Sequence, residues 1–249
     1  MRMPARNTLT LGADRALYLG DLPSTGWHCH ASPVLLIGLS GRFALHWQPG
    51  RVETCHSALV AAGVEHVFDP CGEHVALMYL EPDSPEARGL RGPFQQHDGV
   101  VLDAARAVGS RSAMDAYLRH FDLQALLRCG GGHAAAPLDP RVARSLLALR
   151  SPRDGRWARE GLASSVQLSA SRFNHLFRAE MGVSLRRYQV WSQVRLAMAN
   201  LAVSPRLTDA ALQGAFSDSA HFSRMFRQNF GMTPSSVLKP LKEVTLVGR

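Results

Sequence analysis

Two sets of side chains in this sequence have types and spacings suited to chemistry. The first is Ala170, Ser171, Arg172, Asn174, His175 and Arg178, answered farther along by Ser219, Ala220, His221, Ser223, Arg224 and Arg227. Guanidinium groups donate to phosphate oxygens or pairwise to guanine, an amide pairs with adenine, and hydroxyl and imidazole groups reach base edges of either kind. That is an inventory for reading a nucleic-acid duplex. The second set is His28, His30 and His66. Residues two apart on a strand share a face, which turns His28 and His30 one way and Cys29 the other. With His66 on a neighbouring strand, three imidazoles converge and leave coordination positions open, a donor set for a divalent transition metal. The plainer reading of the same histidines is a hydrogen-bonded core, and both readings stand at this point.

The first set has to sit on helices. Segment 169–184 (SASRFNHLFRAEMGVS) aligns without a gap on segment 218–233 (DSAHFSRMFRQNFGMT), 49 residues downstream. Phe173, Leu176, Phe177 and Met181 correspond to Phe222, Met225, Phe226 and Phe230, so each copy is one amphipathic helix with the same buried stripe. Gly182 and Gly231 stand where each helix should stop on a left-handed residue. A shorter helical segment precedes each copy, Trp157 to Ser165 and Asp209 to Gln213. Each carries a small residue, Ala163 or Ala211, for a close crossing, and each runs into a tight connection.

The pattern predicts a helix-turn-helix, twice. In that motif the second helix enters the major groove, and the residues named first are those its buried stripe leaves outside. Between the copies, Leu185 to Val203 reads as a helix with Tyr188, Trp191, Val194, Met198 and Leu201 inward. Its length of roughly 28 Å is comparable with the ~34 Å between successive major-groove faces. A lone helix with a phenylalanine stripe would read as ordinary core packing. Duplication, glycine stops and charge together favour the reading helix.

The charge is unevenly spread. The chain of 249 residues has a formal net charge of +8, yet residues 1–140 carry net −3 and residues 141–249 net +11. The basic half is where a polyanion would bind. At 46% hydrophobic and 19% charged residues the chain is globular rather than disordered. The longest apolar run, Val34 to Leu39, is far short of the about 20 residues a membrane span needs, so no membrane partner is expected. The stretch Met1 to Asn7 leads into no apolar run of the secretory kind, and a cytoplasmic location is the expectation. Cys29, Cys55, Cys71 and Cys129 form no CxxC pair.

The amino-terminal half alternates and breaks like a small antiparallel barrel or sandwich. Thr8 to Leu11, Ala16 to Leu19, Val34 to Leu39, Phe43 to Trp47 and Val75 to Leu80 read as strands between Gly and Pro turns. Ser112 to Arg128 reads as a helix, either packed on the barrel or forming a dimer contact. The glycines at 130–132 mark a connection. The expected division is therefore an amino-terminal domain at 1–130 (barrel about 8–82, helical part about 100–129), a linker at 131–138, and a DNA-binding domain at 139–249. Asp139-Pro140 supplies the cap and first position of the latter's first helix.

Segment 139–239 resembles the DNA-binding domain of AraC/XylS-type transcriptional regulators. The resemblance is carried by Gly214-Ala215-Phe216-Ser217-Asp218-Ser219-Ala220-His221-Phe222-Ser223-Arg224-Met225-Phe226-Arg227 and by Phe230-Gly231-Met232-Thr233-Pro234. Leu162-Ala163, Leu168-Ser169, Phe173, Leu176-Phe177-Arg178, Gly182 and Arg195-Leu196 carry it in the first copy and spacer. Ala215 replaces the usual glycine, Ala210 a larger aliphatic and Leu238 a closing arginine, which marks the second reader as the weaker.

The resemblance implies a sequence-specific DNA-binding regulator, not an enzyme, with double-stranded DNA as partner. It also implies a homodimer, a small-molecule effector, and RNA polymerase if the output is activation. The fold it implies is α+β and multidomain: an amino-terminal antiparallel β-barrel, cupin-like, with helices, then an all-α domain with two helix-turn-helix motifs. His28-Cys29-His30 and the stretch around His66 look like degenerate cupin motifs, making a divalent metal in the barrel the one candidate cofactor. The carboxylate usual in such sites is replaced by Val34 or Leu35. Arg42, Trp47 and Tyr79 are candidates to line an effector pocket. The competing readings are a cupin-type metal-dependent enzyme with a basic helical appendage, and a metal or thiol sensor whose output is DNA binding.

Overall fold

The computed structural model describes residues 7–48, 50–105, 123–127, 135, 137–150, 159–202, 204 and 206–247. The amino-terminal half comprises β1 (Asn7–Leu11), β2 (Arg15–Gly20), β3 (Val34–Gly38), β4 (Phe43–Gln48), β5 (Arg51–Cys55), β6 (Ser57–Val60), β7 (Val67–Asp69), β8 (Val75–Leu80), α1 (Pro85–Gly89), α2 (Arg91–Gln96), β9 (Val100–Leu102) and α3 (Leu123–Leu126). The carboxyl-terminal half comprises α4 (Pro140–Arg150), α5 (Arg159–Ser165), α6 (Ala170–Met181), α7 (Leu185–Asn200), α8 (Leu207–Gln213), α9 (Ser219–Phe230), α10 (Pro234–Leu238) and β10 (Leu241–Leu246).

The strands form a seven-stranded sheet in the order β10-β1-β2-β8-β3-β6-β9 and a three-stranded sheet in the order β5-β4-β7. β3 is an unbroken apolar run because the larger sheet is buried on both faces. Val34 and Leu36 point into a core shared with Phe43, Leu45 and Phe68 of the smaller sheet. Leu35 and Ile37 point the opposite way, into a core closed by Leu90, Leu123, Leu126 and Leu127. The period-two alternation of a strand thus feeds two separate cores.

Two expectations are corrected. The sheets do not close into a barrel: among the described residues no ladder joins the smaller sheet to the larger. The edge of β1 that would have to close is taken by β10, which pairs with it in parallel from Asn7↔Leu241 to Leu11↔Leu246. For the same reason the carboxyl-terminal portion is not all-α, since its last strand completes the amino-terminal sheet. Most of the helix expected at 112–128 and of the linker at 131–138 lies outside the described residues, and Val100–Leu102, expected within the helical part, is a strand.

Three cores hold the molecule together, and they divide the helices. Val142, Leu146, Leu162, Phe173, Phe177, Tyr188 and Trp191 pack α4 to α7 around the first copy. Phe222 and Phe226 of α9 and Ala210 and Ala211 of α8 belong instead to the core between the two sheets. The halves are also tied by polar contacts. Glu81, at the end of β8, accepts from Trp191 Nε1 at 3.0 Å and from Arg195, and Arg195 donates further to the Gly12 carbonyl.

Candidate nucleic-acid interface and a buried histidine cluster

α6 begins where Ser169 accepts the Arg172 amide at 3.4 Å and ends at Gly182, whose φ of 73° no β-carbon would favour. α9 repeats the plan, with Asp218 accepting the His221 amide at 2.6 Å and Gly231 at φ 68°. The turns in front correspond as well. The Leu168 amide returns to the Ala163 carbonyl and the Phe216 amide to that of Ala211, each at 2.9 Å. Gln167 and Ala215 take left-handed φ values of 58° and 57°. From these turns to the caps the second copy is one residue longer, which the gap-free alignment of the helices did not include.

With Phe173, Phe177 and Met181 buried on one side, α6 exposes Ser171, Arg172, His175 and Arg178, while Ala170 and Asn174 are half-buried. On α9, Phe222 and Phe226 are buried, Ala220, Arg224 and Arg227 are exposed, and Ser219, His221 and Ser223 are half-buried. Among these twelve expected contact residues, Ala170 is the exception that packs against the core of the first copy. Some are partly engaged locally. His221 Nδ1 lies 3.2 Å from Ser217 Oγ, its ring stands edge-on to Phe216, and the Ser223 hydroxyl donates to the Ser219 carbonyl at 2.8 Å.

Asn174, His175 and Arg178 line a concavity completed by Arg159, Ser184, Leu185, Arg186 and Gln189. Arg159 and Arg186 thus join the basic face around α6, and neither was singled out from the sequence. The available signal for Arg186 was its place in the first turn after the Ser184 cap, on the helix next to α6.

His28, His30 and His66 come together. Their strand segments are joined by a bridge, the His28 amide to the His66 carbonyl at 3.1 Å and the His66 amide to the His28 carbonyl at 2.9 Å. One ligand nitrogen from each lies within 4.8 Å of the others, and all three residues are buried. Each Nδ1 meets a backbone carbonyl, Gly26 at 2.9 Å, Ser32 at 2.5 Å and Val64 at 3.0 Å for His28, His30 and His66 respectively. A carbonyl only accepts, so the proton sits on Nδ1 and Nε2 keeps its lone pair. Burial lowers the basicity of all three. It dominates for His30, pushes His66 down to about 3, and outweighs the Gly26 and His66 carbonyls that raise His28. Neutral imidazole is the ligating form.

The remaining candidates separate. Tyr79 lines an apolar cavity of about 60 Å³ between the larger sheet and helices α7 and α9, together with Tyr18, Trp191 and Phe230. Arg42 instead bonds the Thr54 carbonyl, and Trp47 lies under Arg51, whose guanidinium carbon is 4.8 Å from the ring centre. Burial, with Asp103 nearby, pushes the Cys55 thiol up to about 12, so it stays protonated and unreactive.

Residues 162–240 match the family described as a helix-turn-helix domain. Over 77 residues the chain is 35% identical to the arabinose operon regulatory protein of Salmonella typhimurium, covering 30% of this chain and 27% of that protein. The protein of the same name from Escherichia coli is also 35% identical over 77 residues, which make up 26% of its length. The carboxyl-terminal domain is of the AraC/XylS type. The aligned stretch spans about a quarter of these relatives, so the likeness in sequence is one of this domain.

The likeness in fold is wider. Unsaturated-fatty-acid-bound ToxT from Vibrio cholerae superposes over 97% of this chain and 98% of its own with a TM-score of 0.60 at 12% identity. Apo ToxT bearing a point substitution superposes over 92% and 97% with a TM-score of 0.59 at 11% identity. At such identity what is shared is the fold, a sheet-rich amino-terminal domain ahead of a helical carboxyl-terminal domain. No helix among the described residues is long and apolar enough to cross a membrane.

Proposed function

We propose that this chain is a sequence-specific DNA-binding regulator of transcription with two reading helices, α6 and α9. The observation that carries the reading is the repeated design of those helices: the same cap, the same buried phenylalanines, the same left-handed stop, and arginines with small polar groups on the outer face. Arg172, Arg178, Arg224 and Arg227 are assigned to phosphates or guanine, and Ser171, Asn174, His175 and His221 to base edges. Arg159 and Arg186 add phosphate contacts beside α6.

The sheet domain receives an effector. The apolar lining of the cavity against α7 and α9 suits an apolar effector, although its about 60 Å³ must widen to admit one, and binding of an unsaturated fatty acid by ToxT, which shares the fold, supports that class. Two copies of the chain would present four reading helices to a long or repeated site, acting in the cytoplasm and engaging RNA polymerase if the output is activation.

Selection of bound duplexes from random oligonucleotides, followed by titration of variants, tests the reading. Arg227→Ala is expected to weaken binding to every sequence and to reduce the salt slope by about 1, whereas Asn174→Ala changes preference at one base pair by about 1–3 kcal/mol. An unaltered site preference after Ser171, Asn174 and His175 are all replaced by alanine would remove α6 as a reader.

A further inference from the structure

His28, His30 and His66 have a geometry that DNA reading leaves unused. If the cluster were only a hydrogen-bonded core, its buried nitrogens would be satisfied. Yet His30 Nε2 is buried and has no hydrogen-bond partner among the described residues. All three rings are anchored through Nδ1 on carbonyls of their own chain segments, the way ligating histidines are oriented by the groups behind them. Metal–nitrogen bonds of about 2.0–2.1 Å place tetrahedral ligands about 3.3 Å apart, so nitrogens now within 4.8 Å need a shift on the order of 1 Å. Three neutral imidazoles without a carboxylate select zinc, cobalt or nickel over magnesium and calcium. Three protein ligands also leave a fourth position for water or an anion.

The cluster lies against the end of α9. The Gly26 amide donates to the Gly231 carbonyl at 2.8 Å. A β-carbon on Gly231 would stand 2.4 Å from the Gly26 oxygen and 2.8 Å from His28 Nδ1. The carbonyl that holds the His28 ring therefore belongs to the residue that touches the stop of α9. We infer that His28, His30 and His66 bind a late first-row divalent metal ion against the C-cap of α9, so that loading shifts the second helix pair. The binding site stands on these residues alone, while its regulatory consequence rests on the DNA-binding reading above.

The experiment uses the full chain, stripped with a chelator and titrated with Co²⁺. The expected result is saturable binding with the visible absorption of tetrahedral cobalt, displaced by Zn²⁺ and lost in His30→Ala. Cys29→Ser keeps it, and the first coordination shell by X-ray absorption contains imidazole nitrogen and no sulfur. If His30→Ala fails to fold, His66→Gln and the absorption measurement on the unaltered chain decide. Hydrogen exchange supplies the coupling readout, with amides at 229–233 expected to slow on metal addition in the unaltered chain only. Absence of saturable binding, or binding indifferent to both histidine substitutions, overturns the site. Binding without any change at 229–233 overturns the coupling. DNA affinity of the stripped protein, measured in parallel, reports separately on the regulator reading.

Discussion

Removing the carboxylate of Glu81 should loosen the helical domain from the sheet, by an amount the structure fixes within limits. Glu81 is 6% exposed and bonds both Trp191 and Arg195, whose side chain is 20% exposed. Burial lowers the Arg195 guanidinium to about 10, which still leaves it charged at neutral pH. Opposite charges about 4 Å apart attract by about 4 kcal/mol at an effective dielectric of 20, and desolvation offsets part of that. Deleting one partner of a fully buried pair costs about 3–5 kcal/mol, and the partial exposure of Arg195 places Glu81→Ala at the lower end, about 3 kcal/mol. Glu81→Gln keeps an acceptor for the indole and loses only the charge, so about 1–2 kcal/mol is expected. Equilibrium urea unfolding followed by circular dichroism measures both, and a cycle with Arg195→Ala isolates the pair. A coupling energy of about 1–2 kcal/mol is expected. A coupling under about 0.5 kcal/mol, or equal losses for Gln and Ala, would show that the contact does not hold the halves together.

Ala215→Gly should raise the melting temperature, because alanine at φ 57° bears a left-handed cost of about 1–2 kcal/mol that only partly returns as unfolded-chain entropy. Gly231→Ala should do the reverse and more strongly than Gly182→Ala. Both create a left-handed alanine, but only the former drives a β-carbon into the Gly26 carbonyl, and parallel thermal melts compare them. Ending the chain at residue 239 removes β10 and bares the β1 edge, with concentration-dependent association by light scattering as the expected outcome. Asp218 is held below the usual carboxylate range chiefly by the His221 amide. A depressed folded-state value stabilises above the unfolded one, so its cap on α9 is complete above pH 3.8 and is lost as pH falls through the lower folded value. Asp218→Asn should flatten that acid limb in helicity measurements.

The helical domain was legible because its information is local. Phenylalanine spacing, caps and the glycines at 182 and 231 each act within a few residues, and the structure has a helix at every one of those places. Val34 to Leu39 was legible as a strand, but its unbroken apolar run does not say which neighbours it has. The closing of the barrel failed on a contact between residues more than 200 apart, since nothing in Leu241–Leu246 names β1 as its partner. The three histidines were legible as a set through the strand period, whereas the carbonyls that fix their tautomers depend on tertiary placement. Arg195 shows the opposite case. Its position in the spacer helix marks the family, but its ion pair joins it to Glu81, 114 residues away in sequence.

The division of the helices between cores gives the two copies unequal roles. Phe173 and Phe177 pack with α4, α5 and α7, and among the described residues the sheet domain contributes Ala31 to that core, with Ala62 and Tyr79 at its margin. Phe222 and Phe226 share their core with Leu9, Tyr18, Leu36 and Leu77 of the larger sheet. Close-packed cores transmit displacement because they have little free volume to absorb it. A ligand that repacks the sheet therefore reaches α9 directly through shared core side chains, whereas its links to α6 are Ala31, the Arg91 bond to the Glu180 carbonyl, and the indirect route through α7 and the Glu81 contact. The substitutions at Ala210 and Ala215 fall in this second pair, where alanine at 210 is fully buried and alanine at 215 holds the turn. Small residues there let α8 and its turn lie close against the spacer helix, where Gln193 donates to the Ala215 carbonyl, while Ala210 and Ala211 face the core shared with the sheet. The first pair packs mainly on its own core, so under the function proposed above α6 is the steadier reading helix and α9 the one whose placement a ligand in the sheet domain would change more.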